Sequence, residues 1–424
     1  MTSLYQSSSS KHQSDSLLSS GISAIKQNTS AIASPKTIKV KVLVLRGGGG
    51  HYATYQSLKA AFVEQHPHWE LETIFVDALG EYSENAGAEK VSTVLGQSSD
   101  RFYDFLLKNG LGWVHLITIH IHKLLTRLRH QLDVELLAER WQADPPDLVL
   151  SVVPFHNRAL HESLQLANAN APVVTILTDF ADSPPAYWMA PGTDNYVVCG
   201  TEKAIAQALQ SNIASERVIP TSGLVINPRF YSTSVQNVDD ERWQLGLDPE
   251  RMTGLVLFGA NGANVMLEIA KQLEPLGDSL QLIFICGRNQ SVADALRDYK
   301  GVQKRAVIGF TSEIPFYMHL ADFFIGKPGN VSVSEAIAMN LPLIVERNWL
   351  TLPQERYAAD WIKEQQVGIT IQHFRHVRSA VEQLIEPAAF AQYQQRVSAI
   401  ENRAVFEIPE RLEEILLKQE RIAH

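Results

Sequence analysis

Lys39-Val40-Lys41-Val42-Leu43-Val44-Leu45-Arg46-Gly47-Gly48-Gly49-Gly50-His51 is the stretch that decides the fold. A near-continuous apolar run that stops at a glycine turn suits a strand buried on both faces of a parallel sheet. Helical spacing follows in Tyr55, Leu58, Ala61 and Phe62, and further strands are expected at Leu71 to Val76, Leu148 to Val153 and Val173 to Leu177. Strand, glycine turn, helix and strand in alternation predict a doubly wound α/β sheet.

The same grammar restarts in the second half. Leu255-Val256-Leu257-Phe258 runs into Gly259-Ala260-Asn261-Gly262 and a helix from about Ala263, and Leu282 to Ile285 ends at Cys286-Gly287-Arg288-Asn289. Strands are expected at Ala306 to Ile308, Phe323 to Ile325, Leu343 to Val345 and Gly368 to Ile371, with an irregular polar linker from about Pro228 to Arg251. The division that follows is a disordered Ser-rich tail over 1–36, a Rossmann-like domain over 37–228, a second over 229–400, and a C-terminal helix over 401–424 returning to the first domain. Two such domains imply a cleft between them.

Composition narrows the function. A chain of 424 residues, 45% hydrophobic, can bury two cores. The net charge of -9 and pI near 5.9 argue against a general nucleic-acid binder. Cys199 and Cys286 are the only cysteines, too few for a disulfide framework or a multi-cysteine metal cluster, and they fit a reducing cytoplasm. No run approaches the roughly 18 apolar residues of a spanning helix, and the Ser-rich start lacks the apolar core of a signal peptide. Residues 105–129 interleave Leu106, Leu107, Leu111, Trp113, Leu116, Ile117, Ile119, Ile121, Leu124, Leu125 and Leu128 with Lys108, Lys123, Arg127 and Arg129. That pattern fits a core helix pair and also a peripheral contact with the inner face of a membrane.

The chemistry concentrates at strand ends, where glycine turns let the backbone approach a ligand and the next helix presents free N–H groups to anionic oxygens. A tight βα connection is the plain alternative for any one turn. A dinucleotide fingerprint is disfavoured, because the position three after Gly49 is Tyr52. His51 follows Gly49 and Gly50 at the mouth of a helix, where it either acts as a general base or caps and packs. In Gly326-Lys327-Pro328-Gly329-Asn330-Val331-Ser332-Val333-Ser334-Glu335-Ala336 a helix is expected from Val331 or Ser332. Gly329, Asn330, Val331 and Ser332 would offer backbone donors to a diphosphate, and Glu335 would accept from ribose hydroxyls. Gln354 and Glu355, in the loop after a strand, suit sugar hydroxyls.

GGGGH at 47–51, TDF at 178–180, FGANG at 258–262, CGRN at 286–289, GF at 309–310, the KPGNVSVSEAIAMNLPLI segment and PQE at 353–355 together resemble the monogalactosyldiacylglycerol synthase and MurG-like family. The resemblance implies a GT-B fold and inverting transfer from a UDP-sugar co-substrate to a lipid acceptor, and neither a metal nor another cofactor is expected. Carried onto matching positions, it implies His51 in the catalytic glycine loop and Asp179 near the acceptor. It implies Gly259 and Gly262 by the diphosphate, Gly309 and Phe310 by the uracil, Glu335 on ribose, and Gln354 and Glu355 on the sugar, with Asn261 and Arg288 also among the donor-binding residues. The absence of any D-x-D triplet removes the usual carboxylate anchor for a donor-bridging metal ion. A UDP-sugar 2-epimerase of the same fold and a non-catalytic UDP-sugar-binding descendant are the alternatives.

Overall fold

The computed structural model describes residues 37–45, 49–76 and 112–423, and of 49, 112–122, 422 and 423 the backbone alone. The reading of 1–36, the first two glycines of the turn and the segment 105–111 lie outside the described residues. The first sheet contains β1 (Ile38–Val44), β2 (Trp69–Phe75), β3 (Leu148–Ser151), β4 (Val173–Ile176), β5 (Tyr196–Cys199) and β6 (Val218–Pro220), all parallel, in the order β2-β1-β3-β4-β5-β6. The second contains β7 (Met252–Leu257), β8 (Leu280–Ile285), β9 (Arg305–Ile308), β10 (Phe323–Gly326), β11 (Leu343–Glu346) and β12 (Gly368–Ile371), also parallel, in the order β12-β11-β10-β7-β8-β9.

Both orders reverse direction once. The reversal falls between β1 and β3 in the first sheet and between β7 and β10 in the second. In open α/β sheets a ligand crevice forms at that switch point, outside the carboxyl ends of the strands. Register aligns those ends: Leu43 pairs with Ser151 and Ser151 with Thr175, while Gly326 pairs with both Leu257 and Val345. The loops that follow β3 and β4 therefore open on one edge of the first sheet, and those after β7, β10 and β11 on one edge of the second.

Six helices frame these edges or close the fold: α1 (Gly49–Gln65), α2 (Gly112–Ala143), α3 (Asn157–Leu166), α4 (Asn330–Ala338), α5 (Pro353–Glu364) and α6 (Ala404–Ala423). β1 is buried on both faces, and its Lys41 is 2% exposed yet ion-paired with Glu72 and Asp144, which offsets the cost of burying a charge. α6 sets Val405, Ile408 and Leu412 into one apolar cluster with Val40 and Val42 of β1 and Tyr55 and Phe62 of α1. Phe180, beyond β4, enters the cluster of Leu255, Leu343 and Val345 in the second half and meets Trp361 edge-on at 5.1 Å. Both sheets belong to one compact unit.

Three expectations change. β5 and β6 were not foreseen: they are four and three residues long, and Pro220 of β6 is tolerated because β6 lies at the sheet edge. The stretch 228–251 is not irregular throughout. Asn237 caps a helix over Val238–Gln244, and the buried Arg242 of that helix donates to Leu320 O and to the Asp322 carboxylate. Finally, α4 begins at Asn330, one residue earlier than expected, with Gly329 as its N-cap.

Candidate active site

α1 starts at Gly49, so Gly50 and His51 lie in its first turn. A Cβ added to Gly50 would come within 3.5 Å of Val331 Cγ2, in the first turn of α4. Two helix N-termini, one from each half, therefore converge, and their unpaired N–H groups and positive dipole ends favour an anion between them. His51 Nδ1 lies 2.9 Å from Val152 O, with Thr178 Oγ1 at 3.3 Å. A carbonyl oxygen only accepts, so Nδ1 carries the hydrogen and Nε2 keeps its lone pair. Burial holds the imidazole neutral, taking its pKa down to about 4.

Asp179 is buried just past β4. Its Oδ2 accepts from Trp188 Nε1 at 2.7 Å and its Oδ1 from Asn330 Nδ2 at 2.5 Å, so one carboxyl joins the two halves. Burial pushes its pKa up to about 7; Glu355 and Asp182 push the same way, and the Trp188 and Asn330 hydrogen bonds oppose them. His51 and Asp179 form no direct pair. Trp188 lies between them, its ring centroid 5.7 Å from that of His51. Trp188 is itself held by Asp182, whose carboxylate accepts the backbone N–H groups of Ala186, Tyr187 and Trp188.

On the donor side, Pro353 opens α5 and Glu355 sits in its first turn, where the helix dipole favours an acidic side chain. Glu355 Oε1 accepts from Lys327 Nζ at 2.7 Å. Gln354 O accepts from Asn330 Nδ2 at 3.3 Å. Asn330 Oδ1 and Gln354 Oε1 are buried without a hydrogen-bond partner among the described residues. Polar atoms in that condition are costly unless something pairs with them. Glu335, a turn further along α4, is half-buried, and burial alone lifts its carboxyl to about 8.

Arg288 and Phe310 leave β8 and β9 side by side, the guanidinium 4.2 Å from the ring centroid, and Phe310 is 60% exposed. They form a flat cationic and aromatic shelf beside the open Gly309. Gly259 adopts φ 71° near Lys327. Gly262 has a packing reason of its own: at φ 56° a Cβ there would lie 2.3 Å from Cys286 O. Asn261 lies between these two, and Ser332 follows Val331 in the first turn of α4.

Contacts thus unite Gly50, His51, Asp179, Asn330, Val331, Gln354 and Glu355, whereas Arg288, Gly309 and Phe310 lie on the neighbouring strand ends. Trp188 and Asp182 belong to the site and were not singled out from sequence, and Thr178 and Lys327 stand in quoted motifs but were given no role of their own. Trp188 also lines a cavity of about 410 Å³ with Lys123, Arg127, Phe155, Arg158 and Tyr187, while its indole N–H reaches the Asp179 carboxyl. No group of three or more His, Cys, Asp or Glu suited to a metal ion occurs among the described residues.

Residues 88–226 match the monogalactosyldiacylglycerol (MGDG) synthase family, and residues 254–346 match the glycosyltransferase family 28 C-terminal domain. A probable chloroplastic monogalactosyldiacylglycerol synthase of Glycine max is 26% identical over 404 residues, covering 90% of this chain and 72% of that protein. A processive diacylglycerol beta-glucosyltransferase of Staphylococcus carnosus (strain TM300) is 27% identical over 208 residues, 47% of this chain and 50% of that one. Among solved structures, MurG of Acinetobacter baumannii superposes with a TM-score of 0.55 at 12% identity, over 90% of this chain and 100% of that chain. That last likeness speaks for the fold alone.

Proposed function

We propose that this chain, a member of the monogalactosyldiacylglycerol synthase and MurG-like group of GT-B glycosyltransferases, moves a hexosyl group from a UDP-sugar to a lipid hydroxyl with inversion at the anomeric carbon. The observation that supports it most is the convergence of the α1 and α4 N-termini at Gly50 and Val331, beside a neutral His51 and the bridging Asp179. The backbone N–H groups from Gly329 to Ser332 hold the diphosphate in this reading. Glu335 takes the ribose, the Arg288 and Phe310 shelf the uracil, and Gln354 and Glu355 the hexose.

The lipid hydroxyl enters beside Trp188. His51 Nε2 takes its proton as the oxygen attacks the anomeric carbon, and UDP leaves with its new charge on the two helix ends. Ionised Asp179 compensates the imidazolium that forms. Helix dipoles supply the stabilisation a divalent ion gives elsewhere, so the reaction requires no metal and survives EDTA. The flank of α2 around the cavity, with Leu124 and Leu128 exposed beside Lys123 and Arg127, suits a peripheral contact with an anionic membrane face. No described helix is long and apolar enough to cross a membrane.

The test is a mass-detected transfer assay with UDP-galactose, UDP-glucose and UDP-GlcNAc against vesicles containing diacylglycerol or total membrane lipid. The expected product is a hexosylated lipid with stoichiometric UDP. UDP and an epimerised sugar released without any acceptor identify an epimerase instead. Tight UDP-sugar binding without turnover on any lipid identifies a non-catalytic binder.

A further inference from the structure

We infer that Asn330 is a positioning residue that links the donor to the proton-transfer machinery: its Nδ2 holds Asp179 from across the cleft, and its Oδ1 receives a hydroxyl hydrogen of the transferred sugar. The inference rests on the glycosyltransfer reading above. Asn330 opens α4 with its side chain buried, 7% exposed. The orientation of its amide is settled by its neighbours, because the Gln354 carbonyl only accepts and the ionised Asp179 Oδ1 accepts at the same end. The NH2 group must point at them, which leaves Oδ1 as the atom without a partner. Its complement is an O–H or N–H donor. Gln354, whose backbone O accepts from Asn330 Nδ2, has its side-chain Oε1 buried in the same condition, and in this inference a hexose hydroxyl serves each oxygen.

The two ends of an amide are coupled. A hydroxyl that donates to Oδ1 polarises the group and strengthens the N–H bond to the carboxylate on the other side. Donor occupancy is thereby transmitted to Asp179. The other titratable groups around that carboxyl are Glu355 and Asp182, which oppose its ionisation, Lys327, which pairs with Glu355, and the neutral His51 beyond the Trp188 ring. Against the two acidic neighbours, the hydrogen bonds from Trp188 and Asn330 favour the ionised form.

The experiment is a pH profile of kcat/KM for wild type, N330A, N330D, D179N and the N330A/D179N double variant, with UDP and UDP-sugar affinities and Tm on each. In N330A the acidic limb should move up by about one to two pH units, the worth of one hydrogen bond to a charged group. UDP-sugar should bind more weakly while UDP affinity stays unchanged. N330D should shift the limb further, since a second carboxyl would face Asp179 at the same short distance. D179N should lose the limb, and N330A should then no longer affect pH dependence. A uniform loss in N330A at every pH, or a lower Tm with an unshifted profile per folded molecule, overturns the inference and leaves the proposed reaction standing. A wild-type limb that persists in D179N overturns it together with the role given to Asp179.

Discussion

Trp188 donates its indole N–H to Asp179 at 2.7 Å while its ring lies against His51, so one side chain touches both groups proposed to manage the proton. Trp188→Phe keeps an aromatic ring, smaller than the indole, and removes the donor. The N–H bond favours the carboxylate, so its loss raises the Asp179 pKa from about 7. Activity below neutral pH should fall more than activity at pH 8.5, with a deficit of about 1 to 3 kcal/mol at the acidic end. Equal losses across the range would show that only ring packing matters.

Glu335 yields a prediction with a definite sign. Folded, its carboxyl keeps a proton up to about pH 8, whereas its ordinary value is 4.5. Between those values the unfolded chain binds fewer protons than the folded one, so this group's contribution to stability falls as pH rises and is lowest above pH 8. Glu335→Gln should therefore flatten the decline in Tm from pH 5 to pH 9.

If UDP ribose hydroxyls donate to that same carboxyl, binding favours its ionised form and expels the proton. Calorimetry at pH 7 in phosphate and in Tris should give binding enthalpies that differ by the buffer ionisation heat, in proportion to the proton released. In Glu335→Gln the difference should vanish and UDP should bind more weakly. A wild-type enthalpy independent of buffer would move the ribose away from Glu335.

The uridine shelf is separable from the sugar site. Arg288→Ala removes the cation 4.2 Å from Phe310 and should weaken UDP and UDP-sugar alike, by about 0.5 to 2 kcal/mol. Gln354→Ala, which removes a buried side-chain oxygen near Asn330, should leave UDP affinity intact and alter discrimination among UDP-sugars. Comparable losses of UDP affinity in both variants would contradict the division.

Both sheets were legible in the sequence because Val42 to Leu45 and Leu255 to Phe258 are unbroken apolar runs that give way to glycine turns. A run of that kind has one natural home, a strand covered on both faces. β5, with only Tyr196-Val197-Val198-Cys199, is too short to announce itself, and its pairing with β4 decides it. The helix after Asn237 did carry a local signal, an Asn cap followed by Asp239, Asp240 and Glu241, which the polarity of the stretch obscured. For the site, glycine turns and the Gly326 to Ala336 segment located the loops, since helix starts after parallel strands are local features. Trp188 could not be found that way. It reaches Asp179 through a loop organised by Asp182, and Lys327 meets Glu355 only because the first turn of α5 comes beside the loop that follows β10. Such contacts depend on register between distant segments.

Gly262 separates packing from binding. A Cβ at φ 56° and 2.3 Å from Cys286 O forces the backbone of two loops apart. Gly262→Ala should lower stability by about 1 to 3 kcal/mol, the range for backbone strain of this kind. Saturating UDP should recover part of the loss. An unchanged Tm would mean that the two turns are looser than their geometry indicates.

The most direct measurement bearing on the central claim compares His51→Ala with wild type in single-turnover transfer from a UDP-hexose to lipid, with UDP-sugar affinity and Tm taken on the same protein. A group that acts in proton transfer contributes little to ground-state binding, so the transfer rate should fall at least about a hundredfold while affinity and folding are kept. A variant that melts earlier yet turns over normally per folded molecule would contradict the account, reducing His51 to a packing residue held by the Val152 carbonyl.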